Sequence, residues 1–337
     1  MKIDGGLMAT DLRDAARLAV HAERLGYDGL WTAEAGHDPY LPAALAATAT
    51  ERITIGTNIA VAFPRSPLVH AQVAWDLQAA SRGRFVLGLG TQVKGHNERR
   101  YSTPWLAPGP RLREMILLIR HIWDVWQHGA RPGFEGKYYK FSLMTPFFSP
   151  APLDGPLPQI YIAGVNPYMC RLSGELADGF HIHPFHSMKY IRETVLPNVE
   201  GGLTKAGRRR AQMALATTAF VIAGKNRDEI ERAKAPVRQQ LSFYASTRTY
   251  SGVLEAHGWG ETCLRLSEKA AKGDWAGMAS LITDEMLEVY AVEGTYDEVP
   301  GLLKKKYGGV IDRLGFYAAV RPGADDELWR RLIAACR

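Results

Sequence analysis

Cysteine is scarce in this chain: Cys170, Cys263 and Cys336 are the three in 337 residues. None stands near another, so no C-x-x-C zinc or redox pair exists. An odd, sparse set of thiols fits the reducing cytosol better than a disulfide framework. Long apolar runs are missing as well. No stretch approaches the roughly 20 residues that span a bilayer, and Met1-Lys2-Ile3-Asp4-Gly5-Gly6 has no signal-peptide core. The expectation is a soluble, cytoplasmic protein with no membrane partner. The formal charge excess is only +6. The basic runs Arg208–Arg210 and Lys304–Lys306 fall where helices should end, without interleaved aromatics, which argues against a nucleic-acid partner. The pair Gly88-x-Gly90 lacks the third glycine of a dinucleotide fingerprint, since Val93 stands in its place, so a Rossmann reading is rejected.

What is there is a core and a rhythm. Hydrophobic residues make up 46% of the chain and charged residues 23%, which excludes wholesale disorder. Short β-rich segments alternate with helical ones. The strand candidates are Lys2–Met8, Asp28–Glu34, Ile53–Val61, Arg84–Gly90, Gln159–Val165, Asp178–His183, Ala214–Ala223 and Val310–Ala318. They read as apolar on both faces, as buried parallel strands do. Between them, Asp11–Leu25 carries Leu12, Ala15, Ala16, Ala19, Val20 and Ala22 at helical spacing. Leu41–Thr50, Pro67–Ser81 and Pro110–Gln127 also read as helices. Such βα repetition predicts an α/β fold, a (β/α)8 barrel. One domain over residues 1–337 is expected, with insertions at about 91–108, 134–157 and 238–287. The second insertion sets Tyr138, Tyr139, Phe141, Phe147 and Phe148 among prolines, which suggests an aromatic-lined entrance.

Barrel chemistry collects where the strands end. In order, those ends read GLWTAE with His37-Asp38-Pro39-Tyr40, ERITIGTNIAVAFPRSP, GRFVLGLGT with His96-Asn97-Glu98 downstream, PQIYIAG with Val165-Asn166, and ADGF with His181-Ile182-His183. Taken together they resemble the luciferase-like superfamily. The resemblance is to its branch using the deazaflavin coenzyme F(420), and it runs from Lys2 to about Ile222 and again from about Leu287 to Ala319.

That resemblance implies an oxidoreductase moving a hydride between the deazaflavin and a small organic substrate. It also implies a homodimer or higher homo-oligomer. An FMN-dependent two-component monooxygenase is the alternative on the same barrel, and a non-catalytic flavin-binding protein the alternative of another class. Relatives have a bulge with a cis peptide at the end of the third strand, which here falls at Asn58–Ile59. Their phosphate loop corresponds to Gly164-Val165-Asn166, with Val165 where relatives often carry a second glycine. Thr91, Asn97 and His181 complete the expected cofactor set. Glu34 and His37 correspond to an acid and a histidine able to manage protons. A glutamate that follows strand four in one branch is replaced by Gln92 and Val93, which leaves His96 or Glu98 to take its part. His181, His183 and His186 match no strong zinc spacing, so no metal is expected; His181 is expected to line the cofactor pocket, with the other two at its rim.

Overall fold

The computed structural model describes residues 1–9, 11–323 and 325–337. Eight parallel strands close on themselves: β1 (Lys2–Leu7), β2 (Gly29–Thr32), β3 (Thr54–Thr57), β4 (Phe85–Gly90), β5 (Gln159–Gly164), β6 (Gly179–Ile182), β7 (Ala214–Gly224) and β8 (Arg313–Ala319). Each pairs with the next, and β8 pairs back to β1. This is a (β/α)8 barrel. Around it run α1 (Ala15–Leu25), α2 (Tyr40–Ala49), α3 (Pro67–Ala80), α4 (Pro108–His128), α5 (Pro167–Leu176), α6 (Leu196–Lys205), α7 (Arg227–Ala245), α8 (Val299–Tyr307) and α9 (Asp326–Cys336). The local causes are ordinary. Ala15, Ala19, Ala22 and Leu25 bury one stripe of α1. The Ser66 side chain accepts from the Val69 N–H at the start of α3, and Pro67 occupies its first turn. No helix among the described residues is long and apolar enough to cross a membrane.

The barrel interior is not uniformly apolar. Trp31, Val86 and Tyr161 pack together inside it. Beneath them Arg313 donates Nε to Asp4 Oδ2 at 2.8 Å and Nη2 to Asp4 Oδ1 at 2.7 Å. The Trp31 Nε1–H adds a 2.9 Å bond to Asp4 Oδ2. Both charges are almost wholly buried. Two-pronged geometry and a third donor offset the desolvation that burial imposes.

The segments read as insertions are partly ordered. Residues 91–108 contain a short helix, Lys94–Arg99. In 134–157, a small hairpin pairs Phe134–Glu135 with Lys140–Phe141. The Glu114 carboxylate of α4 fastens its turn by accepting the N–H groups of Lys137, Tyr138 and Tyr139. Phe147 and Phe148 are 89% and 65% exposed. The third insertion starts inside α7 and returns through a strand that the sequence pattern hides, Ala291–Thr295. That strand pairs with Phe220–Gly224, the far half of β7. Lys304–Lys306 lies in the last turn of α8, whereas Arg208–Arg210 follows α6, which ends at Lys205, and part of each run is spent on packing. Arg208 donates to the Gly174 and Ala177 carbonyls. Lys306, buried and pushed down to about 8 by desolvation, donates to those of Val289 and Ala291.

Candidate active site

The expected single strand Ile53–Val61 is interrupted. β3 stops at Thr57, the Asn58–Ile59 peptide is cis, and Ala60–Val61 then pairs with β4. The neighbours hold this bulge from several sides. Asn58 donates its N–H to the Thr32 carbonyl at 2.6 Å, and the Ile59 carbonyl accepts from Glu34 N at 3.1 Å. Gly88 and Gly90 provide the space. A Cβ on Gly88 would lie 1.7 Å from the Thr57 carbonyl oxygen, and one on Gly90 2.8 Å from the Ile59 side chain. The G-x-G of strand four therefore makes room for the bulge beside it.

Glu34 is bound into the same assembly. Its Oε2 accepts from Val61 N at 2.7 Å and from Arg65 Nη1 at 2.8 Å, while Arg65 Nη2 reaches Asp38 Oδ2 at 2.6 Å. Burial disfavours the Arg65 charge, but Glu34 and then Asp38 outweigh it and hold the guanidinium above its ordinary value. The Glu34 side chain is only 6% exposed. Behind the bulge, His70 donates Nε2–H to the Ala62 carbonyl at 2.9 Å, which leaves Nδ1 to accept from the Tyr40 hydroxyl at 2.6 Å. Burial pushes His70 down to about 4, so it stays neutral at physiological pH.

The other expected site residues follow the ends of the strands but differ in their freedom. Asn97 is buried, and its Nδ2 donates to the carbonyls of Thr91 (2.9 Å) and Val93 (3.1 Å). It shapes the loop after β4, while its Oδ1 has no hydrogen-bond partner among the described residues. Thr91 is half-buried on that loop. His37 and His96 are exposed on the loops after β2 and β4. Gly164 ends β5, and Asn166 stands exposed before α5, whose first turn has Pro167 and no side-chain cap. The first N–H groups of this ten-residue helix have no side-chain cap, at the end of the helix where negative charge is favoured. Val165 differs: its side chain is buried, and its carbonyl accepts from the Tyr190 hydroxyl at 3.1 Å.

The three histidines after β5 have different surroundings. His181 lies deep in the barrel, its ring edge-on to Trp31 at 4.7 Å and its Nε2 without a partner. Burial, and next Arg313, push it down to about 3. His183 is at the mouth. Its Nδ1 accepts from Phe185 N at 3.1 Å, and its ring sits 4.7 Å from that of Tyr244 and 4.6 Å from that of Tyr250. His186 is outside the sheet, donating Nδ1–H to the His183 carbonyl at 2.9 Å and accepting from the Tyr307 hydroxyl at 3.1 Å. Among the described residues no three His, Cys, Asp or Glu side chains stand together as a metal site.

Arg65, Asp38, His70, Asp4 and Arg313 are site or support residues that the motifs did not single out. A charged residue within an apolar strand, as in Lys2-Ile3-Asp4-Gly5, was the signal available for Asp4.

Residues 2–313 match the luciferase-like monooxygenase family, and the chain belongs to it. An uncharacterised protein of Mycobacterium tuberculosis is 44% identical over 314 residues, which span 93% of this chain and 92% of that protein. A coenzyme F(420)-dependent glucose-6-phosphate dehydrogenase of Nakamurella multipartita is 34% identical over 330 residues, 93% of this chain and 88% of that one. In fold, the coenzyme F(420)-dependent tetrahydromethanopterin reductase of Methanopyrus kandleri superposes with a TM-score of 0.79. That match covers 99% of this chain and 96% of that one at 22% identity. The chain is an oxidoreductase of the luciferase-like family.

Proposed function

We propose that the chain is a coenzyme F(420)-dependent oxidoreductase acting on a small organic substrate. The carrying observation is the composition of the mouth on its β1–β5 side. Gly90 and Ala163 continue the inward registers of Gly88 and Tyr161, and Gly6 stands beside Trp31 as its partner on β1. Small residues beside the Asn58–Ile59 bulge leave a slot for a flat ring, and the uncapped start of α5 provides backbone donors for a phosphate. These residues fit a flavin-like cofactor with an anionic tail. When bound, a deazaflavin supplies two-electron hydride chemistry at its carbon 5.

The roles of the chain's own groups follow. Asn58 and Ile59 back the ring, and Thr91 and Asn97 shape the loop beside it. Gly164 lets α5 start close to the strand end, with Asn166 flanking the phosphate. Glu34 is a positioning residue for the bulge. His37 and His96, both solvent-facing, are the groups able to exchange protons with water. The M. kandleri and N. multipartita proteins favour the deazaflavin over FMN. The family's description as monooxygenases keeps FMN as the second reading.

Equilibrium binding of both cofactors to the cofactor-free protein is the test. Binding of coenzyme F(420) with weaker or absent FMN binding is expected. Tight FMN binding without measurable deazaflavin binding overturns the proposal.

A further inference from the structure

The bulge follows β3. In a closed ring of eight strands, β7 stands opposite β3, four strands away in either direction. What lines the mouth there is unlike the small residues near the bulge. His183 continues the inward register of β6, Phe220 that of β7 and Tyr317 that of β8. The insertion adds Tyr244 from α7 and Tyr250 from the turn after it. Phe220 and Tyr317 rings are 4.5 Å apart, and both Tyr244 and Tyr250 lean on His183. None of these five side chains carries a charge at neutral pH. The Tyr244 and Tyr317 hydroxyls meet at 2.5 Å, and Tyr317 is 39% exposed.

Two phenols that hydrogen-bond each other share one of their two protons. The second proton is free to turn away from the pair, the Gln240 side chain reaching the Tyr244 end of it, and it is a better donor because its oxygen already accepts a bond. The first proton alone would suffice to pin α7 to β8. Tyr317, partly exposed in a wall of aromatic rings, stands across the barrel from the ring slot.

We infer that the Tyr244–Tyr317 pair anchors the oxygen of the substrate, and that the substrate is an uncharged, flat carbonyl compound or the matching secondary alcohol, held against His183, Phe220 and Tyr250. This rests on the hydride-transfer reading for the carbonyl class, while the wall and the hydroxyl pair stand on geometry alone. Aromatic walls favour flat apolar ligands, and few polar groups in such a pocket set orientation. A phosphorylated sugar finds no cation among these five residues.

The test uses two probes of the same shape, acetophenone and α-methylstyrene, which differ in having or lacking the oxygen. Their equilibrium binding is measured by ligand-observed NMR on the full chain, with and without coenzyme F(420), for the native protein and for Tyr244→Phe and Tyr317→Phe. Each variant keeps its ring, and urea unfolding confirms that each folds. The native protein should bind the ketone about fivefold or more tightly than the alkene, as one net hydrogen bond allows, and at least one of the two variants, the one that removes the hydroxyl carrying the free proton, should bring the ratio to near one. An unchanged ratio in both folded variants, no preference in the native protein, or binding of neither probe overturns the inference. Binding of coenzyme F(420) in the same samples is read separately. Its absence counts against the proposed function, whereas a lost ketone preference with retained cofactor binding supports the anchor.

Discussion

The two halves of the barrel mouth are built by different means. On the side of β2 and β3, charges hold backbone: buried Glu34 accepts from Val61 N and is held by half-buried Arg65, which Asp38 holds in turn, and neutral His70 grips Ala62. On the side of β6 to β8, rings stack on rings, and the polar contacts are between neutral groups. Charge networks in a half-buried site are geometrically demanding and fail when one member is lost. Aromatic packing tolerates exchange and reads the shape of what it meets. A rigid cofactor platform suits the first construction, and a selective surface suits the second.

The largest expected effect comes from the charged half. Arg65→Met leaves Glu34 buried without its partner and should cost about 3 kcal/mol in urea unfolding. A loss below about 1 kcal/mol would show that this half is not held by charge. Glu34→Gln should come next, at about 1–3 kcal/mol, because the amide answers Val61 N–H and Arg65 less well. If turnover collapses while stability is unchanged, Glu34 is a catalytic residue and not a positioning one.

At the start of α5 the structure alters the meaning of a familiar substitution. A Cβ on Gly164 would lie 2.4 Å from Met169 Cβ, so Gly164→Val displaces the first turn of the helix. Cofactor affinity should fall tenfold or more, roughly 1.4 kcal/mol, as measured by equilibrium binding. Asn166→Ala, exposed and making no cap, should change it little. The reverse order would place the phosphate elsewhere.

Acid should weaken both halves. His70 is pushed down to about 4 by burial, and His183 to about 3 by burial and next by His186. Their folded values lie below the unfolded value of about 6.5, so the unfolded chain binds the protons first. Stability is fully present above about pH 6.5 and is lost as pH falls from there toward 4 and 3. Each histidine contributes up to about 1.4 kcal/mol per pH unit. Unfolding free energies at pH 7 and pH 5 check the slope, and His70→Gln should flatten it. The smallest stability effect belongs to Tyr317→Phe, at about 1 kcal/mol or less.

The contrast also explains what could be read from the sequence. All eight barrel strands were legible, because buried parallel strands leave dense apolar runs such as Phe85–Gly90. The bulge was legible at Asn58–Ile59 through resemblance, since its makers lie close together in short motifs. The Ala291–Thr295 strand was not, because Glu293 and Gly294 break any apolar run. The aromatic wall was invisible for a different reason: Tyr244 and Tyr317 are 73 positions apart, and each looks like one more residue of an amphipathic element. The aromatics between prolines drew attention instead, and Phe147 and Phe148 turn out to face solvent. His181 stands beside Ala163 on the neighbouring strand, with its ring buried edge-on against Trp31.

Strand β7 is nearly twice as long as a barrel needs. Its first half closes the ring, and its second half overhangs and receives Ala291–Thr295, with Phe220 opposite Ala291 and Gly224 opposite Thr295. Everything between those points departs from and returns to one short rail. Chain closure there is already fixed by paired backbone, and doubling the length of a flexible loop costs only about 0.6 kcal/mol. The intervening helices thus form a cassette whose contact with the loop before α5 runs through Ser187 and Tyr190. A chimaera cut at Gly224 and Ala291 would exchange Tyr244 and Tyr250, the insertion's share of the wall, and leave His183, Phe220 and Tyr317 in place.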